Sequence, residues 1–103
     1  MADNDDLIHP GEILAEEFLK PHGISANRLA LAIGVPANRI AAIVKGDRGI
    51  TGETAILLGH TFRTSPEFWL NLQTHYELER AKGSVSADRV SRADKLAAEL
   101  CRA

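Results

Sequence analysis

The stretch "ANRLALAIGVPANRIAAIVKG", residues 26–46, constrains the fold more than any other part of the chain. Two short apolar stripes flank a glycine. Leu29, Ala30 and Ile33 form the first stripe, and Ile40, Ile43 and Val44 the second. Ser25 stands where an N-cap belongs, and Gly34 and Gly46 stand where helices stop. Small Ala30 lets two helices cross closely, Gly34 permits a sharp turn, Val35 plugs it, and Ile40 and Ile43 anchor the second helix. These are the steric demands of a helix-turn-helix. The first turn of the second helix carries Ala37, Asn38 and Arg39, which the apolar stripe does not need.

A helix in that position projects its first turn into the DNA major groove. An asparagine amide pairs with adenine, an arginine forks onto guanine, and an alanine touches a thymine methyl. Base contacts are therefore expected from Ala37, Asn38, Arg39 and Ala42; Ala41 and Ala42 also keep the helix slim enough for close approach. Phosphate contacts are expected from Ser25, Asn27 and Arg28, at the start of the first helix, and from Lys45 and Arg48, at the end of the second.

The formal net charge of −2 argues against a nucleic-acid partner until its distribution is read. Residues 1–19 hold six acids and no Lys or Arg. Residues 20–63 hold six bases against two acids, a local charge of +4, and residues 64–103 balance. The middle third of the chain, which includes the helix-turn-helix, therefore carries a positive field that the total hides.

The rest of the chain reads as helical. Apolar residues make up 45% of it, without a β-like alternation. A first helix is expected from Pro10 to Leu19, ended by "KPHG". Further helices are expected at Gly52–Phe62 behind Thr51, and from Pro66 behind Ser65. "KGSVSAD" breaks the pattern. A last segment places Val90, Ala93, Ala97 and Leu100 at heptad-like spacing, a short amphipathic helix of marginal stability alone. The expected division is a helix-turn-helix domain over 1–82, with its motif at about 26–45, and a tail over 83–103.

Catalytic and metal chemistry find no support. Glu16 and Glu17 are adjacent and diverge. His9 precedes the helix that carries Glu12 and Glu16, and HExxH and CxxC motifs are absent. The single cysteine, Cys101, excludes an internal disulfide. No cofactor is expected. No run is long enough for a membrane span, the acidic start does not read as a signal peptide, and a cytoplasmic location is the default.

Beyond these local signals, "IHPGEILAEEFLKPHGIS", "NRLALAIGVPANRI" and "IVKGDRGITGETAILLGHTFRTSPEFWLNLQTHYEL" closely resemble the HigA antitoxins, the VapI-like branch of the Xre/Cro helix-turn-helix superfamily. The resemblance spans roughly residues 7–80. "HPGEIL" and "SPEFWLNLQ" are its most telling pieces. It implies an all-α, five-helix Cro/lambda-repressor-like domain, here with an additional short C-terminal helix. It also implies a homodimer, double-stranded operator DNA as one partner, and a HigB-type mRNA-cleaving toxin as another, with repression of the chain's own operon. Ala26 stands where many Cro-like proteins carry glutamine, and Pro36 replaces the usual Ser or Thr cap. In "SPEFWLNLQ", Phe68, Trp69 and Leu72 read as core, and Leu70, Leu72 and Tyr76 as candidates for the dimer interface. The alternative function is an Xre-type transcriptional repressor without a toxin partner.

Overall fold

The computed structural model describes residues 7–102. The acidic residues Asp3, Asp5 and Asp6 lie outside the described residues. Six helices follow one another, and no strand occurs among the described residues.

Helix α1 is one rod wound in three ways: an α-helical start at Pro10–Ile13, a π-helical middle at Leu14–Leu19, and an α-helical turn at Lys20–His22. His9 caps it, its Nδ1 accepting the Gly11 N–H at 2.9 Å. The rod runs past Leu19, the expected end, because of how it meets Pro21. Proline lacks an N–H and its ring collides with the carbonyl four residues back. The π winding, in which the Lys20 N–H donates to the Ala15 carbonyl, loosens the ladder just ahead of that residue. It also brings Leu14 and Leu19, five apart, onto one face, and both are buried. Gly23, at φ 65°, ends the rod.

Helices α2 (Ala26–Ile33) and α3 (Ala37–Lys45) form the helix-turn-helix. Ser25 Oγ accepts the Arg28 N–H at 3.0 Å. The turn closes through Gly34 at φ 76°, after which the Val35 N–H donates to the Ala30 carbonyl at 3.0 Å. Pro36 precedes α3 without a side-chain cap bond, and Gly46 ends it at φ 85°. Helix α4 (Gly52–Phe62) is capped by Thr51, and α5 (Pro66–Lys82) by Ser65. Each Ser or Thr cap contributes about 1 kcal/mol by satisfying a donor that the helix leaves open.

The core lies between Leu14 and Trp69. Leu14, Leu29, Ala30, Ile40, Ile43, Ala55, Leu58 and Trp69 are fully or almost fully buried, with Leu19 and Ile50 beside them. Trp69 Nε1 donates to Thr64 Oγ1 at 2.7 Å, so its one polar atom is satisfied inside the bundle. Phe18 stacks obliquely on Trp69 with ring centroids 4.9 Å apart, and Phe62 on Phe18 at 5.0 Å. Of the three residues expected as core in "SPEFWLNLQ", Trp69 is enclosed, Leu72 packs partly against the core, and Phe68 sits at its rim.

Helix α6 (Ala87–Leu100) is capped by Ser86 and stands off the bundle. Every residue from Ala81 to Arg102 is exposed, including Val85, Val90, Leu96 and Leu100. Helix α6 therefore adds almost no apolar burial to the folded state. A chain truncated after Lys82 is expected to unfold cooperatively, with a midpoint within a few degrees of the full chain, in a melt followed by circular dichroism. A non-cooperative melt would show that the tail contributes to the core.

Candidate nucleic-acid interface

Helix α3 is two-faced. Ile40 and Ile43 have no exposed surface, and Val44 packs partly against the core. Ala37, Asn38 and Lys45 are exposed, while Arg39, Ala41 and Ala42 are half-buried. The four expected base-contact residues thus lie outside the core on one short helix, and its first turn leads. Ser25, Asn27 and Arg28 are exposed at the start of α2, and Arg48 is exposed in the loop after α3. Ser25 Oγ already accepts the Arg28 amide, which leaves its hydroxyl hydrogen as the donor available to a phosphate.

The electrostatics favour an anionic partner. Among the described residues the ion pairs are Lys20–Glu16, Lys82–Glu79 and Arg92–Asp88, all at the surface. Arg28, Arg39, Lys45 and Arg48 have no carboxylate within 4.0 Å among those residues. Cations left unpaired on one motif attract phosphate at no cost in broken internal pairs.

The placement of α3 depends on α1. A Cβ on Gly11 would lie 1.7 Å from the Ile43 carbonyl oxygen and 3.0 Å from the Val44 Cα. Backbone rests directly on backbone there, which only glycine permits. His9 fills the adjoining corner. Its ring meets Tyr76 edge-on with centroids 4.7 Å apart, and lies 3.8 Å from where a Cβ on Gly46 would be. Burial lowers its pKa, the Arg80 charge lowers it further, and Asp47 opposes them. The neutral ring is also the form whose Nδ1 can accept the Gly11 amide, so His9 acts as a helix cap. Among the described residues no three His, Cys, Asp or Glu side chains converge as a metal cluster would require.

The dimer candidates are divided in space. Leu72 and Tyr76 line a surface pocket of about 240 Å³ together with Leu7, Ile8, Ile13 and His75. Leu70 is not part of it and packs partly on the core. Leu7, Ile8 and His75 escape a reading of helix periodicity, because the first two precede α1 and the third is isolated. Leu78, 54% exposed on α5, is missed as well.

A family model described as helix-turn-helix matches residues 16–69. Virulence-associated protein I of Dichelobacter nodosus is 52% identical over 75 residues, which cover 73% of this chain and 69% of that protein. Antitoxin HigA-1 of Vibrio cholerae is 41% identical over 68 residues, covering 66% of this chain and 64% of the relative. The solved structure of the Pseudomonas aeruginosa antitoxin HigA with higBA promoter is 47% identical and superposes with a TM-score of 0.74, over 76% of this chain and 85% of that one. None of the described helices is long and apolar enough to cross a membrane. A motif built on buried Ile40 and Ile43, with cations unpaired among the described residues and matched over this length and identity, establishes that the chain belongs to the helix-turn-helix family, in its HigA antitoxin branch.

Proposed function

We propose that this chain is the antitoxin of a type II toxin–antitoxin module, binding operator DNA through α3 to repress its own operon and silencing a HigB-type mRNA-cleaving toxin. The observation that carries the reading is the two-faced α3: its buried Ile40 and Ile43 hold the helix, and its outward first turn offers Asn38 and Arg39. Asn38 pairs with adenine and Arg39 with guanine, flanked by Ala37 and Ala42 at the bases. Ser25, Asn27, Arg28, Lys45 and Arg48 hold the two phosphate backbones. The Pseudomonas aeruginosa relative was solved with promoter DNA, which supports the docking. A two-fold dimer formed through Leu72 and Tyr76, the two candidates that share one surface pocket, places two α3 helices on half-sites one helical turn, ~34–36 Å, apart. The protein acts in the cytoplasm, where both its DNA and its toxin are found.

The salt dependence of operator binding tests the docking. Arg28, Lys45 and Arg48 on each protomer amount to six phosphate contacts in a dimer. The logarithm of affinity should then fall against the logarithm of salt with a slope of about −5. A flat titration would overturn groove docking. For the toxin half, a small basic reading frame is expected beside this gene, and co-expressing this chain with it is expected to restore the growth that it arrests. Persistent arrest would leave a repressor without a toxin client.

A further inference from the structure

Gln73 is a buried polar side chain that the DNA-binding reading leaves without a role. It lies on α5, 23 residues beyond the loop that follows α3, and its Oε1 accepts the Ile50 N–H at 2.7 Å. Its Nε2 donates to Glu77 Oε2 at 2.8 Å, which fixes the amide from behind. The loop backbone lies flat on this amide. A Cβ on Gly49 would come within 2.8 Å of Gln73 Nε2 and 3.1 Å of its Oε1.

The loop is therefore held at both ends. At its start Gly46 turns the chain in the left-handed region, and the Asp47 N–H donates to the Ala42 carbonyl at 2.9 Å. At its end Gln73 grips Ile50, whose side chain is buried. Asp47 and Arg48, between these points, are exposed. Two fixed ends and two free residues describe a short platform that aims a side chain, because so short a span leaves the backbone little freedom.

We infer that Gln73 is a positioning residue for DNA binding, which sets the loop from Asp47 to Ile50 so that the Arg48 guanidinium meets a phosphate. The inference rests on the proposed docking of Arg48 against DNA. A guanidinium held in place loses less freedom on binding, and gains more per contact, than one on a loose loop. Gln73 acts through the Ile50 amide and Gly49, and does not itself touch DNA.

The experiment is a cycle of operator-binding titrations on the full-length protein at several salt concentrations. Arg48→Ala should weaken binding roughly tenfold or more. It should also make the salt slope shallower by about two per dimer. Gln73→Leu, which leaves the Ile50 amide unpaired, should produce a loss of the same kind, slope included. The double variant should bind no worse than Arg48→Ala alone. Gln73→Glu sets two carboxylates against each other and should also weaken binding. Adding Glu77→Gln to it restores a donor to the pair and should restore both affinity and slope, whether or not Gln73→Leu folds. If Arg48→Ala leaves affinity and slope unchanged, the docking of Arg48 falls and this inference falls with it. If Arg48→Ala behaves as stated but the two losses multiply, or the Gln73→Glu, Glu77→Gln exchange fails to restore the slope, the positioning role alone is overturned.

Discussion

Replacing Asn38 and Arg39 together by alanine will abolish selective operator binding and leave the chain folded. Asn38 is exposed and Arg39 half-buried, and neither belongs to the core. Alanine suits a helix better than either residue, so α3 keeps its backbone. Each bidentate base contact supplies ~1–3 kcal/mol of discrimination. Four such contacts in a dimer are comparable to the whole gap between specific and non-specific binding, about 4–10 kcal/mol. Arg28, Lys45 and Arg48 remain, so weak, salt-sensitive binding to any DNA persists. Ile40→Asp gives the opposite outcome two residues along from Asn38. Ile40 has no exposed surface, and an unpaired carboxylate in its place costs several kcal/mol, set against a total stability of about 5–15 kcal/mol. That variant unfolds. A gel shift with operator and with unrelated DNA, beside a far-ultraviolet spectrum, reads both results. Rescue of toxin-arrested growth adds the functional division: the double variant still neutralises toxin. Loss of rescue in a folded double variant would make the recognition helix the toxin face as well.

Gly11→Ala will destabilise the protein by about 3 kcal/mol, the upper end for an overpacked core site. The new methyl would lie 1.7 Å from the Ile43 carbonyl oxygen, where ordinary contact begins at 3.4 Å. Both sides of this contact are backbone, so no rotamer change can relieve it. Helix α1 and the end of α3 have to separate, and Ile43 leaves its seat in the core. The melting midpoint should fall by roughly 10–20 °C. Gly52→Ala serves as the control, since a Cβ there meets nothing within 4 Å. It should be neutral or slightly stabilising, because alanine has less freedom to lose on folding. A Gly11→Ala protein that melts with the parent would show that α1 does not seat the recognition helix.

Local chemistry was legible in the residues themselves. Ser25, Thr51 and Ser65 open helices because a hydroxyl two or three residues ahead satisfies a free amide, and that geometry needs only neighbours. Gly34 and Gly46 close helices for the same local reason, their left-handed φ being cheap only for glycine. The burial of Ile40 and Ile43 beside an outward Asn38 follows from helical spacing, so the sequence determined the helix-turn-helix and the turn that faces outward. It also held "HPGEIL" and "SPEFWLNLQ" as family signatures, without a reason for their individual residues. Tertiary structure alone supplied those reasons. Gly11 is glycine because α3 rests on it, and Gln73 is an amide because its Oε1 accepts the Ile50 N–H, 23 residues away, while its Nε2 donates to Glu77. The path of α1 through Pro21 runs in a π winding that also places Leu14 and Leu19, five apart, on one buried face. The amphipathic pattern of α6 announced a helix, yet only the packed bundle showed that no part of the core receives it. Contacts between residues distant in sequence depend on how whole helices stack, and periodicity records which face is apolar without naming what will cover it.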